Sequence, residues 1–147
     1  MTKLLLSLHV LAAIIAIGPV TVAASMFPAT VRQVQTDPHR LAIAHNLHRI
    51  CRVYATIGLA VPVFGLATAA SLGVLSDIWL TASIALTGVA AGILALAILP
   101  DQSRILAALP QTIPATAQLA MLTGIFNLLW AVVTVLMIVR PGSTTGA

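Results

Sequence analysis

Residues 37–75 read DPHRLAIAHNLHRICRVYATIGLAVPVFGLATAASLGVL and combine two kinds of helix in one stretch. Asp37 and Pro38 are typical of a helix start, because Asp37 can accept from free backbone N–H groups and Pro38 sits where no N–H is needed. At about 100° per residue, the polar side chains that follow fall on one side of the helix: His45, His48, Arg49 and Arg52. Residues 53–75 carry no charge, and at roughly 1.5 Å per residue they can cross a hydrocarbon core of about 30 Å. The stretch therefore predicts a basic amphipathic helix that continues directly into a membrane span.

The composition excludes an ordinary water-soluble domain. Of the 147 residues, 60% are hydrophobic and only 7% are charged, whereas soluble domains are about a quarter charged. The formal net charge of +4 is carried by short segments between apolar runs. This distribution favours contact with anionic lipid headgroups over nucleic acid binding. The single cysteine, Cys51, excludes an intramolecular disulfide.

Four apolar runs predict an all-α fold, a four-helix transmembrane bundle formed by a single domain at residues 1–142. The spans are expected at about residues 4–26, 53–75, 78–99 and 115–139, with a disordered tail at 143–147. The second helix is expected to extend beyond the membrane on the cytoplasmic side. Prolines should kink the first and second spans at Pro19 and Pro62, and should end helices at Pro28 and Pro100. The first run also has features of a cleavable signal peptide, but the positive charges that follow it favour an uncleaved span.

The distribution of basic residues predicts the orientation. With four spans both termini lie on one side, together with Lys3 and Arg140. The opposite side then carries the other five basic residues, Arg32, Arg40, Arg49, Arg52 and Arg104. Because Lys and Arg accumulate on the cytoplasmic side, we expect a plasma (inner) membrane protein with its termini outside and its Arg-rich loops in the cytoplasm.

Small residues recur at helical spacing in the second and third spans. The set comprises Gly65, Ala69, Gly73, Gly88 and Gly92. Such stripes let another helix approach closely, either within one chain or between copies. We therefore assign these residues to helix packing.

His9 is the one clearly ionisable side chain expected inside a span, and an intramembrane ionisable group is a functional candidate by default. One interpretation is a neutral histidine bonded to a neighbour such as Ser83 or Thr134. The other is an axial ligand of haem b, which four-helix membrane bundles can hold. A second imidazole at the same depth would be needed, and the other histidines follow the opposite end of the first span.

The spacing His45-x-x-His48-x-x-Cys51 invites a metal site, because imidazole and thiolate bind zinc and copper. On a helix, however, these residues spread over about 120°, and Arg49 and Arg52 add positive charge that opposes a cation. We therefore predict a surface for membrane or partner contact at His45, His48, Arg49 and Arg52, and no metal site. No combination of nucleophile, base and acid suggests catalysis.

Asn127 lies near the middle of the fourth span, where an amide needs a partner. Interhelical hydrogen bonding is the expected role, with contact to a transported substrate as the alternative.

The segment LLLSLHV at residues 4–10, followed by Gly18-Pro19, resembles a bacterial family of small integral membrane proteins with four predicted spans and a domain of unknown function. The segment from His48 to Gly65 extends the resemblance, which covers the first three spans. It implies the four-span fold and no established activity. His9 also resembles the first-helix histidine of haem-dependent membrane protoporphyrinogen oxidases and of copper-resistance membrane domains, and that resemblance implies a haem ligand.

Three functional hypotheses follow. The leading one is a non-catalytic membrane component that self-associates or joins a larger membrane complex and contacts the lipid bilayer and anionic headgroups. The second is a haem-b redox or haem-handling protein that uses His9. The third is a small transporter or channel with Asn127 and His9 along its path.

Overall fold

The computed structural model describes residues 1–143, and these residues form helices joined by turns, with no strand. The elements are α1 (Thr2–Arg32), α2 (His39–Ile57), α3 (Ala60–Leu72), α4 (Ile78–Ile93), a π-helical turn (Leu94–Ile98), α5 (Leu99–Ala108) and α6 (Ala117–Val139). Four helical stretches are long and apolar enough to span a membrane: Thr2–Arg32, His39–Leu72, Ile78–Ala108 and Ala117–Val139. The predicted all-α fold with four membrane helices is confirmed, and the chain has the architecture of a multi-pass membrane protein. Apart from Ser143, the tail predicted to be disordered lies outside the described residues.

The helix α1 is the centre of the bundle. It packs against α2, α3 and α6, while α4 packs against α6, and α5 packs against α2. Its buried side chains, among them Val20, Phe27 and Val31, meet Leu47 of α2 and Phe126 of α6 in one core. Large apolar side chains also cover the outside of the helices, as expected where the surrounding solvent is lipid.

The first helix is longer than the sequence suggested. We expected it to end near Met26, with Pro28 breaking it, but α1 continues through Pro19 and Pro28 to Arg32. Pro28 removes one backbone hydrogen bond. Phe27, Pro28 and Val31 are all buried in the bundle, and this packing offsets the missing bond.

The second hydrophobic stretch is divided where one long helix was expected. α2 ends at Ile57 and α3 begins at Ala60. Pro62 has no N–H to donate to the carbonyl of Gly58, and the N–H of Val61 bonds that carbonyl instead, at 3.1 Å. The break thus follows from the proline that predicted a kink.

The third span also differs from the prediction, because Pro100 does not end the helix. A π-helical turn precedes it, in which the N–H of Leu99 bonds the carbonyl of Leu94. Pro100 lies in the first turn of α5, and such a π-helical turn is a common local adjustment in helices that contain a proline. The helix then continues, and Gln102, Ile105 and Leu106 of α5 face the bundle.

The cations separate between the two ends of the bundle. At the end that holds the N-terminus, the hydroxyls of Thr2 on α1 and Ser71 on α3 share a hydrogen bond. The guanidinium of Arg140, which follows α6, lies 5.6 Å from the centroid of the Trp79 ring. The carboxylate of Asp77, the residue before α4, accepts a hydrogen bond from the Trp79 indole N–H at 2.9 Å. At the opposite end, Arg32 donates to the hydroxyl of Thr116 at the start of α6.

We predict that Gly73→Ala lowers the free energy of unfolding by about 1–2 kcal/mol. Gly73 ends α3 with φ +71°, a left-handed conformation that a Cβ makes costly. The matched control is Gly18→Ala, because a Cβ at Gly18 meets nothing within 4 Å and its φ is not positive. Reversible unfolding in mixed micelles measures both variants, and equal stabilities would contradict the prediction.

Candidate functional site

The outer face of α2 forms a basic groove. His45, Arg49 and Arg52 are exposed there and line a wide, open depression together with Asn46 and Thr56. The opposite face of α2 is buried through Ala44, Leu47 and Cys51. The helix is therefore docked on the bundle along its length and presents its cations outward.

His48 also lines this depression, but its side chain is largely buried, whereas its spacing suggested an exposed position. Its side chain is only 9% exposed and lies against α5, where its Nδ1 is 2.8 Å from Oε1 of Gln102. Because a carbonyl oxygen can only accept, Nδ1 carries the proton and donates. The other ring nitrogen, Nε2, lies 3.1 Å from the hydroxyl of Ser103. His48 thus points inward because α5 supplies partners for both of its nitrogens.

Gln102 completes the network between α2 and α5. It is fully buried, and its amide N–H donates to Sγ of Cys51 at 3.7 Å. A buried polar network whose members are all paired rigidifies the packing around it. We assign the His48–Gln102–Ser103–Cys51 network to holding α5 on α2.

In this geometry the side chains of His45, His48 and Cys51 do not converge on one point where a metal ion could bind. His45 faces outward while His48 and Cys51 face the core, and both nitrogens of His48 already have protein partners. Among residues 1–143, no three His, Cys, Asp or Glu side chains lie close enough together to hold a metal ion.

Sequence reasoning missed Gln102 and Ser103. Both follow the π-helical turn at residues 94–98, which changes the rotational phase of the residues after it relative to a regular helix. The available signal was the polar run Asp101-Gln102-Ser103 directly after Pro100, at the end of an apolar run.

His9 holds α1 against α3. Its Nδ1 lies 2.8 Å from the carbonyl oxygen of Val61, so this nitrogen is the donor. The ring fills the space above Gly65, where a Cβ would come within 2.9 Å of Cε1. The partners suggested from sequence, Ser83 and Thr134, bond carbonyls of their own helices instead.

The residues around His9 do not fit a haem site with two histidines. The His9 ring is packed against Gly65 and bonded to Val61. The other three histidines all belong to α2, where His48 is fully paired. Among residues 1–143, no second imidazole lies across from His9.

Asn127 forms an interhelical contact between α6 and α1. Its amide N–H donates to the hydroxyl of Ser25 at 3.1 Å. Both residues line a cleft of about 210 Å³ between the two helices. Within residues 1–143, the amide oxygen of Asn127 and the hydroxyl of Thr123 are buried without a hydrogen-bond partner.

The small residues assigned to packing occupy different environments. Gly65 contacts His9, and Ala69 is buried in a small core with Trp79. Gly73 ends α3 in the left-handed conformation. A Cβ added at Gly88 or Gly92 would meet nothing within 4 Å, so these two glycines make no close contact with the described chain.

We predict that Gln102→Leu lowers the free energy of unfolding by about 1–3 kcal/mol. The substitution keeps a similar volume but leaves the N–H of His48 buried without an acceptor. The control is Gln118→Leu, because Gln118 is exposed on α6 and its loss should change stability little. The double variant His48→Leu/Gln102→Leu should lose less than the sum of the two single losses, as measured by a double-mutant cycle. If the loss of stability in the double variant equals the sum of the two single losses, His48 and Gln102 do not interact directly.

We predict that the effect of Gly65→Ala depends on His9. In the native chain the new methyl group displaces the imidazole from Val61, which should lower the free energy of unfolding by about 1–3 kcal/mol. In a His9→Ala background the same methyl group has room, so the loss should be much smaller. Unfolding of the four proteins of this cycle in mixed micelles measures the coupling. An equal loss in both backgrounds would show that the close approach of Gly65 and His9 does not affect stability.

Comparisons with known proteins do not assign the chain to a family. No protein-family model, curated protein or solved structure matches the chain. The functional conclusion therefore rests on the contacts described above.

Proposed function

We propose that this chain is a non-catalytic plasma membrane protein that self-associates through one face of α4. The observation that carries the proposal is the open position of Gly88 and Gly92, which have no neighbour within 4 Å of an added Cβ. They belong to a stripe of small residues, most of them exposed, along α4 and the π-helical turn: Thr81, Ala85, Gly88, Gly92 and Ala95.

In lipid, an exposed glycine in a helix costs stability that a packing partner can offset. A glycine inside a helix is about 1 kcal/mol less favourable than alanine. Gly88 and Gly92 gain no compensating contact within residues 1–143, and α4 buries its other side through Trp79, Leu80 and Ser83. Helices associate in membranes where small residues let their backbones approach closely. A second copy of α4 is a partner of this kind.

The basic groove on α2 suggests how the assembly sits on the membrane surface. Two other arginines have carboxylate partners, since Arg40 pairs with Asp37 and Arg104 pairs with Asp101. Within residues 1–143, Arg49 and Arg52 have none. Unpaired cations next to a membrane span attract anionic lipid headgroups. We therefore place this groove at the cytoplasmic surface with the termini outside, in agreement with the positive-inside rule.

We predict that Gly88→Leu/Gly92→Leu abolishes self-association in lipid vesicles. The two large side chains should separate the helices while leaving the fold of each chain intact, because both positions face open space. Single-molecule photobleaching or energy transfer between labelled copies measures the population of dimers or larger assemblies.

The matched control is Gly18→Leu on α1, which is equally open but lies on another helix, and it should associate like the native protein. A native chain that stays monomeric at high protein-to-lipid ratio would overturn the proposal. So would a Gly88→Leu/Gly92→Leu variant that associates normally.

A further inference from the structure

The cleft between α1 and α6 is a second feature that the packing of the chain does not use. It has a volume of about 210 Å³ and exists because its walls carry small residues, Ala29 on α1 and Ala120 and Gly124 on α6. All three are exposed, so the cleft opens sideways on the surface that faces lipid. A Cβ at Gly124 would meet nothing within 4 Å.

Thr123 supplies an unused polar group to this region. The residue lines the cleft, is only 3% exposed, and its hydroxyl has no hydrogen-bond partner. Five other helical threonines donate to the carbonyl four residues earlier: Thr30, Thr56, Thr68, Thr81 and Thr134. Thr123 does not make this bond, so its hydroxyl can both donate and accept.

Two acceptors lie on the same walls. The amide oxygen of Asn127 is buried without a partner, because the amide N–H is the group that bonds Ser25. The carbonyl of Ala24 has no donor four residues later, since that residue is Pro28. Buried polar groups are almost always paired in native proteins, so this concentration of unpaired oxygens points to a ligand that carries a hydroxyl.

Arg32 provides a positive charge at the end of the cleft. One of its N–H groups donates to Thr116 at 3.1 Å, and within residues 1–143 it has no carboxylate partner. The remaining guanidinium N–H groups are suited to a carboxylate, which they can bind in a fork geometry.

We propose that this cleft binds a small hydroxycarboxylate. The ligand carboxylate pairs with Arg32, its apolar body lies on Pro28, Ala29 and Ala120, and its hydroxyl donates to Asn127 and accepts from Thr123. A cavity of about 150 Å³ holds benzene, so the observed volume suits a molecule of roughly eight to ten non-hydrogen atoms.

The spacing along α6 separates the two polar ends of the proposed site. Thr116, which accepts from the Arg32 guanidinium, and Thr123 are about 10 Å apart along the helix axis. A ligand that reaches both ends therefore carries its carboxylate and its hydroxyl at opposite ends of the molecule. The proposal goes beyond self-association and does not depend on it, because none of these residues belongs to α4.

The test measures saturable binding of radiolabelled 4-hydroxybenzoate to the full chain in phosphatidylcholine nanodiscs. Benzoate, which lacks the hydroxyl, and 4-hydroxybenzyl alcohol, which lacks the carboxylate, serve as competitors. We expect Arg32→Gln to weaken 4-hydroxybenzoate binding at least tenfold while changing competition by the alcohol little. Thr123→Val should remove the preference for 4-hydroxybenzoate over benzoate.

Gly124→Leu should fill the cleft and abolish saturable binding, whereas Gly18→Leu, equally open but outside the cleft, should bind like the native chain. Thermal unfolding followed by circular dichroism confirms that each variant is folded. The proposal is overturned if the native chain shows no saturable binding, or if Gly124→Leu binds as well as the native chain. Loss of binding when phosphatidylglycerol replaces phosphatidylcholine would assign the cleft to a lipid instead.

Discussion

The structure depends on how the backbone N–H and C=O groups find hydrogen-bond partners inside the membrane-length helices. In lipid no water is present to bond a free carbonyl, so each proline in a span requires a local adjustment. Pro62 is accommodated by the break between α2 and α3, where Val61 takes over the bond to Gly58. Pro100 is accommodated by a π-helical turn that places it at the start of α5. Pro19 and Pro28 remain within α1, which is the most central helix of the bundle.

These adjustments determine which polar side chains meet. The phase change at the π-helical turn brings Gln102 and Ser103 to His48. In the same way, the start of α3 after the break presents the carbonyl of Val61 to His9. The contacts of His48, His9 and Asn127 are thus three polar connections, each between a different pair of helices. Such bonds contribute modestly to association in lipid, but each specifies how its two helices are rotated.

The proposed functional surfaces are the places where this pairing is incomplete. Within residues 1–143, the open glycines of α4 have no close packing partner, Arg49 and Arg52 have no carboxylate partner, and the Thr123 hydroxyl has no hydrogen-bond partner. Each surface belongs to a different part of the bundle. A change at one of them therefore leaves the local contacts of the others intact.

The sequence by itself determined the fold class and the approximate extent of the four spans. Hydropathy and chain length are local properties, and a run such as residues 115–139 is long and apolar enough to predict a membrane helix. The need of Asn127 for a partner followed from its position in that run. Tertiary structure decided the inward direction of His48, the pairing of His9 with Val61 and the participation of Gln102. Those contacts depend on the rotation of helices that are more than 50 residues apart in the chain, and a single π-helical turn changes that rotation without changing the hydrophobicity of the sequence.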